Sequence, residues 1–322
     1  MNSRNALAAA LTIGLACAGS ALAQGFPSKA VRIVVPFPAG GSFDITARIL
    51  AQRMAPTLGQ NVVVENRPGG GTVVATEYVA RLPADGYTLL VVGPSFVINP
   101  ALRSKLPFDP AKDFKAVSQT IALPMAIAVT PSLPVKSLND LIALAHSRPG
   151  EIAYGTSGPG TSHHLIAEQF GLLTKSRFVH TPYQGGAPAA VATVGGHSPM
   201  LLVNVAEMAP YIKSGKLRLL AVTSPERDDL APNVPTMRES GFPELEAANW
   251  SGIVIATATP AEAVLRLNAE IVRALGLAEV RDLLKSQSMQ AKPSTPEQFA
   301  TLLRTDGARY AKIAREANVK VD

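Results

Sequence analysis

The sequence predicts an α/β protein of two lobes with a cleft between them, on three observations. Strand-like and helix-like patterns alternate along nearly the whole chain. Two apolar extended stretches, 120–130 and 250–257, read as crossings between lobes. Two glycine-rich turns each join the end of a strand to the start of a helix. The length of 322 residues suits two domains, and 47% hydrophobic with 17% charged residues supports a large core.

Taken in order, Val31–Phe37 is a β-branched apolar run, and Ile45, Ile49, Leu50, Met54 and Leu58 then recur at helical spacing up to Gly59. Asn61–Glu65 is a second strand, so the unit is βαβ and predicts a parallel sheet. A turn at Asn66–Gly71, a helix over Val74–Arg81 and a strand at Tyr87–Gly93 follow. After the first crossing, Ser137-Leu138-Asn139-Asp140 resembles a capping box opening a helix to about Ser147. Strands at Glu151–Gly155 and Arg177–Pro182 flank a helix at Thr161–Leu173. A short helix near Pro188–Val194 and strands at Met200–Val205 and Leu217–Thr223 complete the second lobe. The return crossing leads to helices at Ala261–Leu275 and Pro296–Ala317. The first lobe is therefore discontinuous: 24–124 with 250–322, against 125–249 for the second.

Met1–Ala23 reads as a secretory signal, with one charge at Arg4, an apolar stretch Ala6–Ala18 too short to span a bilayer, and a small-x-small site at Ala21-Leu22-Ala23. The only cysteine, Cys17, lies within it; Gly14 stands where a lipoprotein site carries a large aliphatic residue. A secreted chain with no cysteine left relies on its core, which fits a bacterial periplasmic domain. The charge of +6 is dispersed, with no basic run and no interleaved aromatics, so nucleic-acid binding is not expected and small anions are favoured.

In Pro36–Ser42 the glycines Gly40 and Gly41 bare the backbone before a helix, and Ser42 is placed to cap it. Tyr154–His163 repeats the arrangement in the other lobe. Helix N-termini carry unpaired N–H groups and partial positive charge, so two such loops facing each other can grip a carboxylate. The first loop is neither a dinucleotide fingerprint nor a Walker A loop. Gly155-Thr156-Ser157-Gly158-Pro159 misses the G-x-S-x-G nucleophile elbow by its last residue, which leaves a serine hydrolase built on Ser157 as an alternative, with His163, His164, His180 or His197 as base. His164 and Glu168 are an i, i+4 pair with no third metal ligand, so no metal is expected. Asp44 either serves the helix dipole or faces the ligand.

Taken together, "VRIVVPFPAGGSFDITAR", "GQNVVVENRPGGG", "ADGYTLLV", "NPALRSKLPFDPAKDF", "AYGTSGPGTSHH" and "HTPYQGGAPA" resemble the Bug family, periplasmic solute-binding proteins of tripartite tricarboxylate transporters. The resemblance extends through "YIKSGKLRLLAVTSPERDDLAPNVPTMRESGFP" and "TPAEAVLRLNAEI", and so over the whole mature chain. It implies a type II periplasmic-binding-protein fold of the Venus-flytrap kind, no catalysis and no cofactor. The implied ligand is a small carboxylate, a di- or tricarboxylate, acidic amino acid or aromatic acid, delivered to a membrane permease. A signalling accessory that binds the same ligand is the related alternative, and a monomer is expected. The implied ligand residues are Phe37, Pro38, Ala39, Gly40, Gly41, Ser42, Asp44 and Ser95 in the first lobe. In the second they are Thr156, Ser157, Gly158, Thr161, Ser162, His163, Tyr183 and Asn204. Phe37 and Tyr183 are expected as apolar walls. The chain departs from the family in "GGHSPMLLVNVAE": Pro199 stands where an Asp is usual and Val203 precedes Asn204. A charge that normally neighbours the pocket is thus expected to be absent, favouring a less polar or more anionic ligand.

Overall fold

The computed structural model describes residues 25–321, so the signal sequence and Cys17 lie outside the described residues. The chain begins β1 (Val31–Val35), α1 (Ser42–Leu58), β2 (Val62–Asn66), α2 (Val73–Ala80), β3 (Thr88–Val92), α3 (Ser95–Leu102) and α4 (Pro110–Asp113). A 16-residue strand, β4 (Phe114–Val129), then leads to α5 (Leu138–Ser147), β5 (Ile152–Thr156), α6 (Ser162–Thr174), β6 (Phe178–Pro182), α7 (Gly186–Val194), β7 (Met200–Asn204), α8 (Val205–Lys213) and β8 (Arg218–Val222). The chain closes with β9 (Ala248–Ala256), α9 (Ala261–Gly276), α10 (Ala278–Lys285), β10 (Gln290–Ala291) and α11 (Pro296–Glu316).

The strands run β2-β1-β3-β9-β4-β7-β5-β6, with β8 and β10 also on β4. Strands β1, β2 and β3 pair in parallel, as do β5, β6 and β7, which the βαβ pattern predicts. The sheet as a whole is mixed, because β4 and β9 pair antiparallel with each other and with their neighbours. They are the two connecting strands. β4 pairs with β9 from Phe114 to Pro124 and with β7 from Met125 to Val129. Pro124 lies inside β4. It is tolerated because it sits where one partner ends and the next begins, so little of the ladder needs its missing N–H.

Burial on both faces of the sheet explains the continuous apolar runs. Val31, Ile33 and Val35 point into a core closed by α1, α9 and α10, while Val34 faces Leu90, Phe96, Trp250 and Phe299 on the other side. In β4, Met125, Ile127 and Val129 enter a third cluster with Phe170 and Tyr154, and Ala126 and Ala128 enter a fourth with Leu201 and Met208. The last helix ties the halves together. Phe299 near its start packs edge-on against Trp250, and Tyr310, Ile313 and Ala314 near its end lie in the cluster of Phe170 and Tyr154. Helices α3, α8 and α10 are absent from the sequence reading. α3 and α8 carry internal prolines, Pro100 and Pro210, which break the usual pattern. Among the described residues no helix is long and apolar enough to cross a membrane.

Candidate functional site

Five helices begin at one cavity. Its lining includes Gly41 and Ser42 at the start of α1, Pro94 and Ser95 at α3, Thr161 and Ser162 at α6, Gly185 and Gly186 at α7, and Asn204 at α8. The cavity has an empty volume of about 470 Å³, part of it open to solvent. Phe37, Pro38, Phe43, Ala187 and Pro188 give it apolar walls. None of the lining residues is Lys or Arg. Helix N-termini and oriented dipoles are the positive elements of its wall.

On the β1–α1 side, Gly40 adopts φ +88°, a left-handed conformation that glycine takes without strain. Its N–H donates to Asp44 Oδ2 at 2.9 Å. Arg48 Nε and Asn66 Nδ2 also donate to the Asp44 carboxylate, each at 2.9 Å, and Asn66 reaches the Phe37 carbonyl. Burial raises the Asp44 carboxyl, but the hydrogen bonds from Arg48, Gly40 and Asn66 outweigh it and hold the group below its usual range. Asp44 therefore buttresses the loop from behind and does not line the cavity. Ser42 is the first helical residue; Gly41 is the N-cap and has no side chain with which to cap. The Ser42 hydroxyl instead donates to Glu207 Oε1 at 2.6 Å, across the cleft.

The loop after β5 is held by its own residues. Thr161 caps α6 by accepting from the His164 N–H, and its hydroxyl donates to the Gly158 carbonyl. Thr156 Oγ1 accepts from the Gly158 N–H and meets His180 Nε2 at 2.7 Å. Ser157 Oγ lies 2.5 Å from His163 Nδ1, and His163 Nε2 lies 3.0 Å from Asn204 Oδ1. Asn204 Nδ2 then donates to Glu207 Oε1 at 3.0 Å. Burial pushes the His163 imidazole down to about 4, against the hydrogen bond the ring gives to Asn204 Oδ1, so the ring is neutral near pH 7. His164 stacks on His180 with centroids 4.0 Å apart; burial lowers both, His180 to about 3.

The cavity thus brings together Phe37, Pro38, Gly41, Ser42, Ser95, Ser157, Thr161, Ser162, His163 and Asn204 from the sequence-predicted set. Ala39, Gly40, Asp44, Thr156 and Gly158 shape the loops behind it. Tyr183 is not a wall. It packs against Gly155, where an added Cβ would lie 3.3 Å from its ring, and Phe43, Ala187 and Pro188 stand at the cavity instead. The turn Gly185-Gly186 at the start of α7 is a third glycine loop at the cavity, beside the two that the sequence predicts. Asn249, at the start of β9, donates to Asn204 Oδ1 at 2.7 Å and carried no local signal.

Pro199 and Val203 bring no charge, but a carboxyl neighbours the cavity from another position. Glu207, in the first turn of α8, lines the cavity with Oε2 sealed from solvent and without a hydrogen-bond partner. Burial raises its carboxyl above the ordinary range, opposed by the hydrogen bonds from Ser42 and Asn204.

Residues 46–319 match the model of the tripartite tricarboxylate transporter family receptor. Protein BugT of Bordetella pertussis is 35% identical over 320 residues, 98% of each chain. Among solved structures, an R. palustris protein with adipate aligns at 33% identity and TM-score 0.88, over 92% of this chain and 99% of that one. MatC from Rhodopseudomonas palustris with bound malate aligns at 30% identity and TM-score 0.85, over 89% of this chain and 99% of that one.

Proposed function

The chain belongs to the tripartite tricarboxylate transporter receptor family, and from that premise we propose that it is a periplasmic solute-binding protein whose cleft captures a small carboxylate. In this reading Met1–Ala23 is the export signal, 24–124 with 250–322 and 125–249 are the two lobes, and a membrane permease receives the closed form. The observation that carries it is the convergence of five helix N-termini on a cavity lined by no lysine or arginine. Such a cavity offers fixed N–H donors and hydroxyls in place of water, which favours a carboxylate without a formal cation.

A thermal-shift series on the mature protein with adipate and malate, the solutes in the related structures, extended to other small carboxylates, tests this. A ligand at 100 times its dissociation constant is expected to add about 2.7 kcal/mol of stability. A flat melting temperature across the whole series would overturn the reading.

The Ser157–His163–Asn204 chain is read as a fixed wall, not as nucleophile and base. His163 leans on the neutral amide of Asn204, and the elbow pattern fails at Pro159. Ser157→Ala is expected to keep part of the affinity. Ester turnover by the wild type that vanishes in this variant would favour the hydrolase.

A further inference from the structure

We propose that Glu207 fills one anion seat of the cleft with the protein's own carboxylate, so that the solute is a monocarboxylate whose other end carries an ammonium or similar N–H donor facing Glu207. This rests on the carboxylate-capture reading and narrows it.

The Glu207 carboxyl stands at the start of α1, where Ser42 offers both its hydroxyl, at 2.6 Å, and its N–H, at 3.5 Å, to Oε1. It also stands at the start of α7. A Cβ on Gly186 would lie 2.8 Å from Oε2, so residue 186 is bare where the carboxyl comes in. The start of α1 is therefore already hydrogen-bonded to a carboxyl, and the same carboxyl stands against the bare start of α7. A second carboxylate beside it would meet like charge in a site with no lysine or arginine on its walls.

The polar atoms around Glu207 have one sense. The His163 ring accepts at Nδ1 when Nε2 donates to Asn204 Oδ1, the tautomer that also lets Asn204 donate to Glu207. Ser157 then spends its proton on His163, and Ser42 spends its proton on Glu207. Ser42 and Ser157 are left presenting lone pairs, and Glu207 Oε2 has no donor at all. This end of the cavity is a set of acceptors, which an ammonium with its three N–H groups satisfies and a carboxylate does not. Glu207 is the one acidic residue among those lining the cavity, so no carboxylate faces the starts of α3, at Pro94 and Ser95, or of α6, at Thr161 and Ser162, and these are left for the ligand's single carboxylate.

Isothermal titration of the mature protein with probes paired by length tests this: β-alanine against succinate, 4-aminobutyrate against glutarate, and 5-aminopentanoate against adipate. In at least one pair the amino acid is expected to bind about tenfold more tightly than its diacid twin, and Glu207→Gln to abolish that preference. Diacids binding more tightly in every pair, or a preference unchanged by Glu207→Gln, would overturn the proposal while leaving carboxylate capture standing. Silence from both series would remove both readings.

Discussion

The β1–α1 loop, Phe37–Ser42, opens its helix with a residue that has no side chain, whereas the β5–α6 loop, Thr156–His163, opens its helix with Thr161. The second loop closes on itself through Thr156, Gly158, Thr161 and the Ser157–His163 pair. The first is braced from behind by Asp44 and meets its anion only across the cleft, in Glu207. One loop is thus capped and closed within its own segment of chain, with His180 and Asn204 as its outside partners. The other is completed by residue 207, 165 residues further along the chain. Two loops that look alike in sequence therefore answer differently to perturbation.

Acid breaks the self-contained loop and has the largest expected effect. His163 is held at about 4 in the folded protein against an ordinary 6.5, so the unfolded chain binds the extra proton first as pH falls. Stability from this group is complete above pH 6.5 and is lost as pH drops towards 4, by about 3 kcal/mol. His164 and His180 are lowered too and act in the same direction. Melting temperature against pH measures the loss, and His163→Gln is expected to remove part of the slope; an unchanged slope would show that His163 is not the group.

Glu207→Ala breaks the borrowed cap. It leaves donors on Ser42 and Asn204 without their acceptor and is expected to cost about 2 kcal/mol in urea denaturation. It also removes a cross-cleft hydrogen bond, so small-angle scattering of the unliganded variant should give a larger radius of gyration than wild type. Equal radii would mean that Glu207 does not hold the lobes together. The smallest effect belongs to Thr161→Ala, about 1 kcal/mol from one lost cap. It should leave the radius unchanged, because its contacts stay within one lobe.

Much of this site was legible in the sequence because it is local. Gly40-Gly41 before a helical period and Thr161-Ser162 after Gly160 announce helix starts through backbone chemistry that acts within a few residues. The βαβ units were legible for the same reason, since β-branched runs and 3.6-residue spacing are short-range signals. Glu207 was in plain view three residues after Asn204, yet nothing nearby marks it as a partner for Ser42, 165 residues away. Asn249 is of the same kind, ordinary in its own segment.

The sequence by itself determined the α/β class, the parallel βαβ units and two glycine-rich loops at helix starts, because each follows from periodicity or from the stereochemistry of a short segment. Only the tertiary structure decided that Asp44 faces inward to Gly40 and Arg48, that Tyr183 leaves the cleft, and that Glu207 enters it. Those outcomes depend on which helix ends the sheet brings together, and long-range packing leaves no trace in local pattern.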